Sequence, residues 1–158
     1  MTSETVFVSA ARRGGFTLVE LLITISIAAI LIGIAVPSFS TFVSTQRIKT
    51  ASFDLSSTLI HARSEALKRN ANIILTSATG GWQNGWTLDS GSTTISRHEP
   101  LTGMAVTGPA GALTYRSDGR LSGTGNTFSI SSASNTSVAP RCISVALSGI
   151  PVSKAGSC

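Results

Sequence analysis

Arg12-Arg13-Gly14-Gly15-Phe16-Thr17-Leu18-Val19-Glu20 leads into an apolar run that continues to Val36, and no charged residue occurs from Leu21 to Gln46. Phe16 to Val36 is 21 residues. As helix this run spans about 31 Å at ~1.5 Å per residue, the thickness of a bilayer core. A secretory signal would carry a shorter apolar stretch followed by a small-residue cleavage site; here the basic pair and glycines precede the run and no such site follows it. Taken alone, the stretch reads as an uncleaved membrane anchor. Glu20 is the discordant residue. A carboxylate at the centre of a membrane helix costs about 2.5–3.5 kcal/mol on insertion scales, so Glu20 calls for a partner or an interfacial position. Thr17-x-x-Glu20 also fits a capping box, where an acid in the first turn complements the helix dipole.

Gly33 and Pro37 interrupt the run, and a proline inside a helix removes a hydrogen bond and bends it. The pattern resumes beyond them, which predicts one continued, kinked helix. Ile48, Ser52, Leu55, Leu59, Ala62 and Ala66 recur at helical spacing and form a narrow stripe. Arg47, Lys49, Asp54, Arg63 and Lys68 fall largely off it. The helix is expected to run to about Arg69 and to end at Asn70 or Asn72. Its amphipathic half, residues 46–72, is expected to pack on a sheet.

After Asn72 the composition changes: 12 of the 15 glycines lie from Gly80 onward. Short β-rich runs at Ile73–Thr76, Gly85–Leu88, Thr93–Arg97, Leu113–Arg116, Thr127–Ser131 and Cys142–Leu147 alternate with turn signals. Asp118-Gly119 reads as a hairpin tip. The fold class expected is α+β: a long N-terminal helix packed on an antiparallel sheet of about six or seven strands in residues 73–158.

The net charge of +5 is mild and spread along the chain. It permits contact with nucleic acid or anionic lipid without demanding either. Cys142 and Cys158 are the two cysteines. In a chain with a membrane-targeting segment, an isolated pair reads as a disulfide in an oxidising compartment, the alternative being two free thiols. The pair places the C-terminal domain outside the cell membrane, whereas flanking bases on both sides of the run do not settle orientation.

Gly15-Phe16-Thr17-Leu18-Val19-Glu20-Leu21-Leu22 resembles the N-terminal signature of type IV prepilins and type II secretion pseudopilins. Three further fragments resemble the GspH/FimT group of that family: Ala62-Arg63-Ser64-Glu65-Ala66 with Lys68-Arg69-Asn70, Gly81-Trp82-Gln83-Asn84-Gly85-Trp86, and Leu113-Thr114-Tyr115-Arg116-Ser117-Asp118-Gly119-Arg120. The resemblance implies the pilin fold. It also implies a cytoplasmic leader, residues 1–15, cut by prepilin peptidase between Gly15 and Phe16, with N-methylation of Phe16. Residues 16–45 then form the membrane and assembly helix. Glu20 becomes the fifth residue of the mature chain, and in this family that acid pairs with the N-terminal amine of a neighbouring subunit. Opposite charges attract strongly at low dielectric, and each would be costly alone.

The implied function is that of a minor type IV pilin, a structural subunit aiding assembly initiation or tip function, with other pilins, prepilin peptidase and the inner membrane as partners. It would be anchored once in the bacterial inner membrane with a periplasmic C-terminal domain, then reach the pilus or cell surface. The alternatives are a type II secretion minor pseudopilin of the H type and a DNA-binding minor pilin for natural transformation. Some FimT-type relatives bind DNA through Gly-Arg-x-Arg before the final cysteine. Here Gly149 is followed by Ile150 and Val152 in the arginine positions, which leaves Lys154, Arg141, Arg116 and Arg120 as candidate contacts, with phosphate neutralisation much reduced. No cofactor, metal site or enzymatic activity is expected, because His61, His98 and the cysteines are scattered. Trp82 and Trp86 read either as core residues beside a tight turn or as an exposed patch for DNA or a protein partner.

Overall fold

The computed structural model describes residues 15–158, so the expected leader lies, up to residue 14, outside the described residues. The described residues divide after Ser38 into two units. One α-helix, α1 (Leu18–Arg69, 52 residues), runs through both, and a single 3-10 turn, Trp82–Asn84, is the other helical piece among the described residues.

In the first unit every residue from 15 to 35 is exposed. Its order comes from local hydrogen bonds. The hydroxyls in the apolar run fold back on the helix, with Thr24 Oγ1 donating to the Leu21 carbonyl at 2.8 Å and Ser26 Oγ to that of Leu22 at 2.7 Å. Such back-bonding satisfies polar side chains where water is absent. This helix is long and apolar enough to cross a membrane.

In the second unit α1 buries Ile48, Ala51, Ser52, Leu55, Leu59, Ala62 and Ala66. The expected stripe is therefore the core face. At the helix end Asn70 adopts φ +50°, and the Ala71 amide reaches back to the Ala66 carbonyl at 3.3 Å. This is the six-to-one bond of a Schellman turn, with asparagine in the left-handed position that glycine more often fills. Glu65 accepts Arg69 Nε at 2.5 Å. That hydrogen bond, aided by the Lys68 and Arg69 charges, holds its carboxyl below the usual range against the opposing effect of burial.

Eight strands follow: β1 (Ile73–Ser77), β2 (Trp86–Ser90), β3 (Thr93–His98), β4 (Met104–Thr107), β5 (Leu113–Tyr115), β6 (Asn126–Ser132), β7 (Arg141–Val145) and β8 (Pro151–Ala155). They form two antiparallel four-stranded sheets, ordered β3-β2-β1-β5 and β4-β6-β7-β8. The α+β class and the helix-on-sheet packing are as expected, whereas the single sheet resolves into two. The two unforeseen strands are both at a sheet edge. β4 buries only Val106, and β8 begins with Pro151 and has no fully buried residue. Edge strands need no alternating pattern, and a first-position proline is tolerated there.

One core cluster joins α1 to both sheets through Ile73, Leu75, Trp86, Leu88, Tyr115, Phe128, Ile130, Ile143 and Val145. In the sheets the inward side chains alternate along β1, β2 and β6, as a half-buried strand requires. The Asp118-Gly119 tip is present: the Gly119 amide donates to the Arg116 carbonyl at 2.8 Å, and Tyr115 bridges Leu121. Gly85, at φ +96°, admits no side chain, since a Cβ there would sit 2.2 Å from the His98 carbonyl oxygen. That close approach lets Trp86 enter β2 opposite His98.

Candidate functional site

The helix start carries the expected assembly residues. Gly15 and Phe16 are exposed and precede the first helical residue, so the peptide bond between them is unwound. Thr17 is the N-cap. Its hydroxyl accepts the Glu20 amide at 3.2 Å, and Glu20 Oε2 accepts both the Thr17 amide and the Thr17 hydroxyl at 3.2 Å. This is the reciprocal capping box. Among the described residues Glu20 Oε1 receives no hydrogen bond, and a carboxylate has room for about four. Capping and pairing with an outside amine can therefore coexist on one side chain.

The outward face of α1 holds a pattern that the sequence reading passed over. In the domain half of the helix Phe53, Ile60 and Leu67 fall on one seven-residue spacing, and all three are at least 52% exposed. The inward stripe packs in the core, so it is not free to dock on neighbouring subunits. The outward series is. A strict seven-residue period drifts about 20° per repeat on a straight helix, and so suits a partner that wraps around it in a left-handed sense. The signal was legible as a period, since Phe53, Ile60 and Leu67 lie beyond the continuous apolar run.

The C-terminal candidates separate. Cys142 and Cys158 form a disulfide with Cα atoms 5.1 Å apart. Arg141 and Lys154 lie on the paired strands β7 and β8, yet Lys154 pairs with Cys142 and Arg141 with Ala155. Alternation therefore puts the two cations on opposite faces of the sheet. Arg116 and Arg120 flank the hairpin after β5, in the other sheet. Arg116 Nη2 is bonded to Asp118 Oδ2 at 2.6 Å, and the Arg120 amide to Asp118 Oδ1 at 3.0 Å. These contacts, the Arg120 amide foremost, hold the Asp118 carboxyl below its usual range. Arg141 and Lys154, two of the four cations named from sequence, therefore do not share a face.

Gly149 has a structural role of its own. At φ +77° a Cβ would lie 2.4 Å from the Gly119 carbonyl oxygen and 2.9 Å from Tyr115 Cε1. The tryptophans are core residues. Trp82 donates to the Pro109 carbonyl at 2.9 Å and meets Phe128 edge-on at 4.9 Å. Trp86 donates to Thr58 Oγ1 at 3.2 Å and stacks on His98 at 4.1 Å. Both are at most 3% exposed, so neither offers a face to a nucleic-acid base. Among the described residues no group of three or more His, Cys, Asp or Glu could hold a metal ion.

Residues 51–149 match the family model described as type II transport protein GspH, and residues 10–36 match that of the prokaryotic N-terminal methylation motif. No curated protein matches the chain by sequence. The fold is similar to the crystal structures of the type IV minor pilin FimU of Pseudomonas aeruginosa in two crystal forms. The first has a TM-score of 0.64 at 22% identity, covering 73% of this chain and 97% of that one. The second has 0.60 at 23%, covering 69% and 97%. The fold is also similar to that of the minor pseudopilin EpsH of the type 2 secretion system of Vibrio cholerae, with a TM-score of 0.56 at 14% identity over 69% of this chain and 97% of that one.

Proposed function

The chain belongs to the type II transport protein GspH family, and from that premise we propose that it is a minor type IV pilin, a structural subunit that enters the pilus and helps to initiate it or form its tip. The observation that carries this reading is the helix start. An unwound Gly15–Phe16 bond is followed within two residues by a capped helix whose acid has one oxygen without a hydrogen bond among the described residues. Cleavage there by prepilin peptidase would turn the Phe16 nitrogen into a charged amine, and removing residues 1–15 would leave a net charge of +4 from the +5 of the whole chain. The amine of one subunit and Glu20 Oε1 of its neighbour then neutralise each other inside an apolar bundle, where each alone would be strongly disfavoured. The outward apolar series supplies the area along which neighbouring helices pack. Before assembly the subunit crosses the inner membrane once, with residues 73–158 on the periplasmic side and the disulfide formed there.

The likeness to EpsH supports a second reading, a minor pseudopilin of type II secretion with the same assembly mechanism. Genomic neighbourhood separates the two: surrounding minor-pilin genes favour the first, a secretion operon the second. The test of the shared mechanism is the mature N-terminus. Mass spectrometry of the membrane-extracted protein should find N-methylated Phe16, and an intact chain or a cut elsewhere would refute it. Glu20→Ala should leave cleavage and membrane insertion intact while incorporation into filaments falls strongly. Normal incorporation would restrict Glu20 to capping.

A further inference from the structure

Lys49 on α1 and Arg141 at the start of β7 line two neighbouring hollows on one flank of the helix. The first is the cleft between α1 and the last hairpin, ≈ 440 Å³, where Ser52 and Ser153 satisfy each other through a hydrogen bond of 2.9 Å. The second is smaller, ≈ 220 Å³; α1 contributes Thr45, Ile48 and Lys49 to it, and the entry into β7 contributes Val138, Pro140 and Arg141. No acid lines either hollow, and among the described residues neither Lys49 nor Arg141 is in an ion pair. Arg141 Nη2 reaches Ser153 Oγ at 3.4 Å, which leaves the other N–H groups of the guanidinium available. Apart from the two cations the smaller hollow is apolar. Ile48 and Val138 form its floor, and the Thr45 hydroxyl is turned back on its own helix, donating to the Thr41 carbonyl at 2.8 Å.

The place of the smaller hollow along the chain narrows its ligand. Leu21–Gln46 is 26 residues without a charge. As helix that stretch rises about 39 Å at ~1.5 Å per residue, close to the ~40–45 Å of a bilayer with its headgroup layers. Arg47 and Lys49 are the first charges beyond it, and Phe42, 60% exposed, is the last exposed large apolar side chain before them. The segment between β6 and β7 reaches the same part of the helix, since Asn135 Nδ2 donates to Thr41 Oγ1 at 3.3 Å. Two cations over an apolar floor suit an amphiphile with an anionic head. A free oxyanion would use the cations and leave the floor without a contact. Ordinary small-molecule sites measure about 300–1,000 Å³, so a smaller hollow suits a headgroup whose acyl chains remain outside it.

We propose that the hollow between α1 and the entry into β7 binds the headgroup of an anionic phospholipid, with the phosphate between Lys49 and Arg141 and the glycerol backbone against the apolar floor. The two cations come from different elements, so the bound lipid bridges the helix and the sheet. Lys154, on the opposite face of the sheet from Arg141, takes no part. Phe53, Ile60 and Leu67 do not line the hollow and stay uncovered for a neighbouring subunit. The inference rests on the reading of the chain as a subunit that waits in the membrane before assembly, and it adds a lipid partner for that waiting state.

The test uses the full chain in non-ionic detergent, with bound lipid counted by native mass spectrometry as short-chain phosphatidylglycerol is titrated in. Phosphatidylglycerol should be retained in preference to phosphatidylcholine, which carries the same phosphate without net charge. Lys49→Gln and Arg141→Gln should each weaken retention about fivefold, the worth of one cation at an anionic membrane surface. Arg97→Gln, on the edge strand β3, should leave retention unchanged. Equal retention of the two lipids would overturn the proposal, and so would full retention by both Lys49→Gln and Arg141→Gln. An Arg97→Gln loss equal to that of Arg141→Gln would mean diffuse attraction and overturn it as well. Displacement of the lipid by glycerol phosphate at equal concentration would also overturn it, reducing the hollow to an oxyanion site. Lipid retention does not depend on processing of the N-terminus. An uncleaved chain would therefore refute the filament reading and leave the lipid site standing, whereas loss of the lipid site would leave the mature Phe16 terminus as expected.

Discussion

The two faces of the domain half of α1 are both apolar, and they meet opposite fates. Inward, Ile48, Leu55, Leu59, Ala62 and Ala66 are at most 1% exposed and join a core shared by both sheets. Outward, Phe53, Ile60 and Leu67 lie at successive seven-residue steps and are 73%, 55% and 52% exposed. Helix propensity cannot explain the second set, since a polar residue would serve as well on a solvated face. The inward face is satisfied by its own chain, whereas the outward one needs another. A subunit that enters a filament requires both: a core that folds alone and a face that remains uncovered until assembly.

Adjacent residues test this contrast most sharply. Leu59→Ala removes a fully buried side chain and should cost about 2–5 kcal/mol of domain stability, read as a lower unfolding midpoint. Ile60→Ala, one residue on, should change stability by no more than about 0.5 kcal/mol while reducing incorporation into filaments. A destabilisation at Ile60 comparable to that at Leu59 would break the comparison. Next in size is the disulfide, which closes a loop of 16 residues. Cys158→Ser should cost about 3 kcal/mol in the chain-entropy model. The bond pins β7 to the end of the chain and not to α1, so the loss should appear in unfolding and leave the outward helix face as it was.

Much of this was legible in the sequence. The inward stripe, the helix end near Asn70 and six of the strands follow from periodicity, because burial of one face imposes it. Thr17-x-x-Glu20 was legible as a capping box because its geometry is local. β4 and β8 were not, since an edge strand with few buried residues leaves no alternation to read. Nor was the separation of Arg141 from Lys154: distance in sequence does not reveal the face of a strand until the register is known. The cleft between α1 and the last hairpin joins residues about a hundred positions apart, with Ser52 meeting Ser153, and no local signal could have brought them together.

The smallest effect concerns polarity inside the satisfied face. Tyr115 is fully buried in the core, and its hydroxyl donates to the Gly149 carbonyl at 3.2 Å. Burial pushes its ionisation well above the ordinary value of 10.0, against a weaker pull from the Arg63 charge. The sign follows from linkage. The folded state holds the proton that the unfolded chain releases near that ordinary value, so the stability linked to this proton is complete below it and is lost as pH rises beyond it. Tyr115→Phe should cost about 1 kcal/mol at neutral pH, the net worth of one hydrogen bond and the penalty of the carbonyl left behind. The same substitution should flatten the alkaline loss of stability. Unfolding midpoints measured from neutrality to above the tyrosine range would show the two curves converging. Parallel curves would mean that the hydroxyl ionises without opening the core, and the interior would then be less completely closed than the contrast between the two helix faces requires.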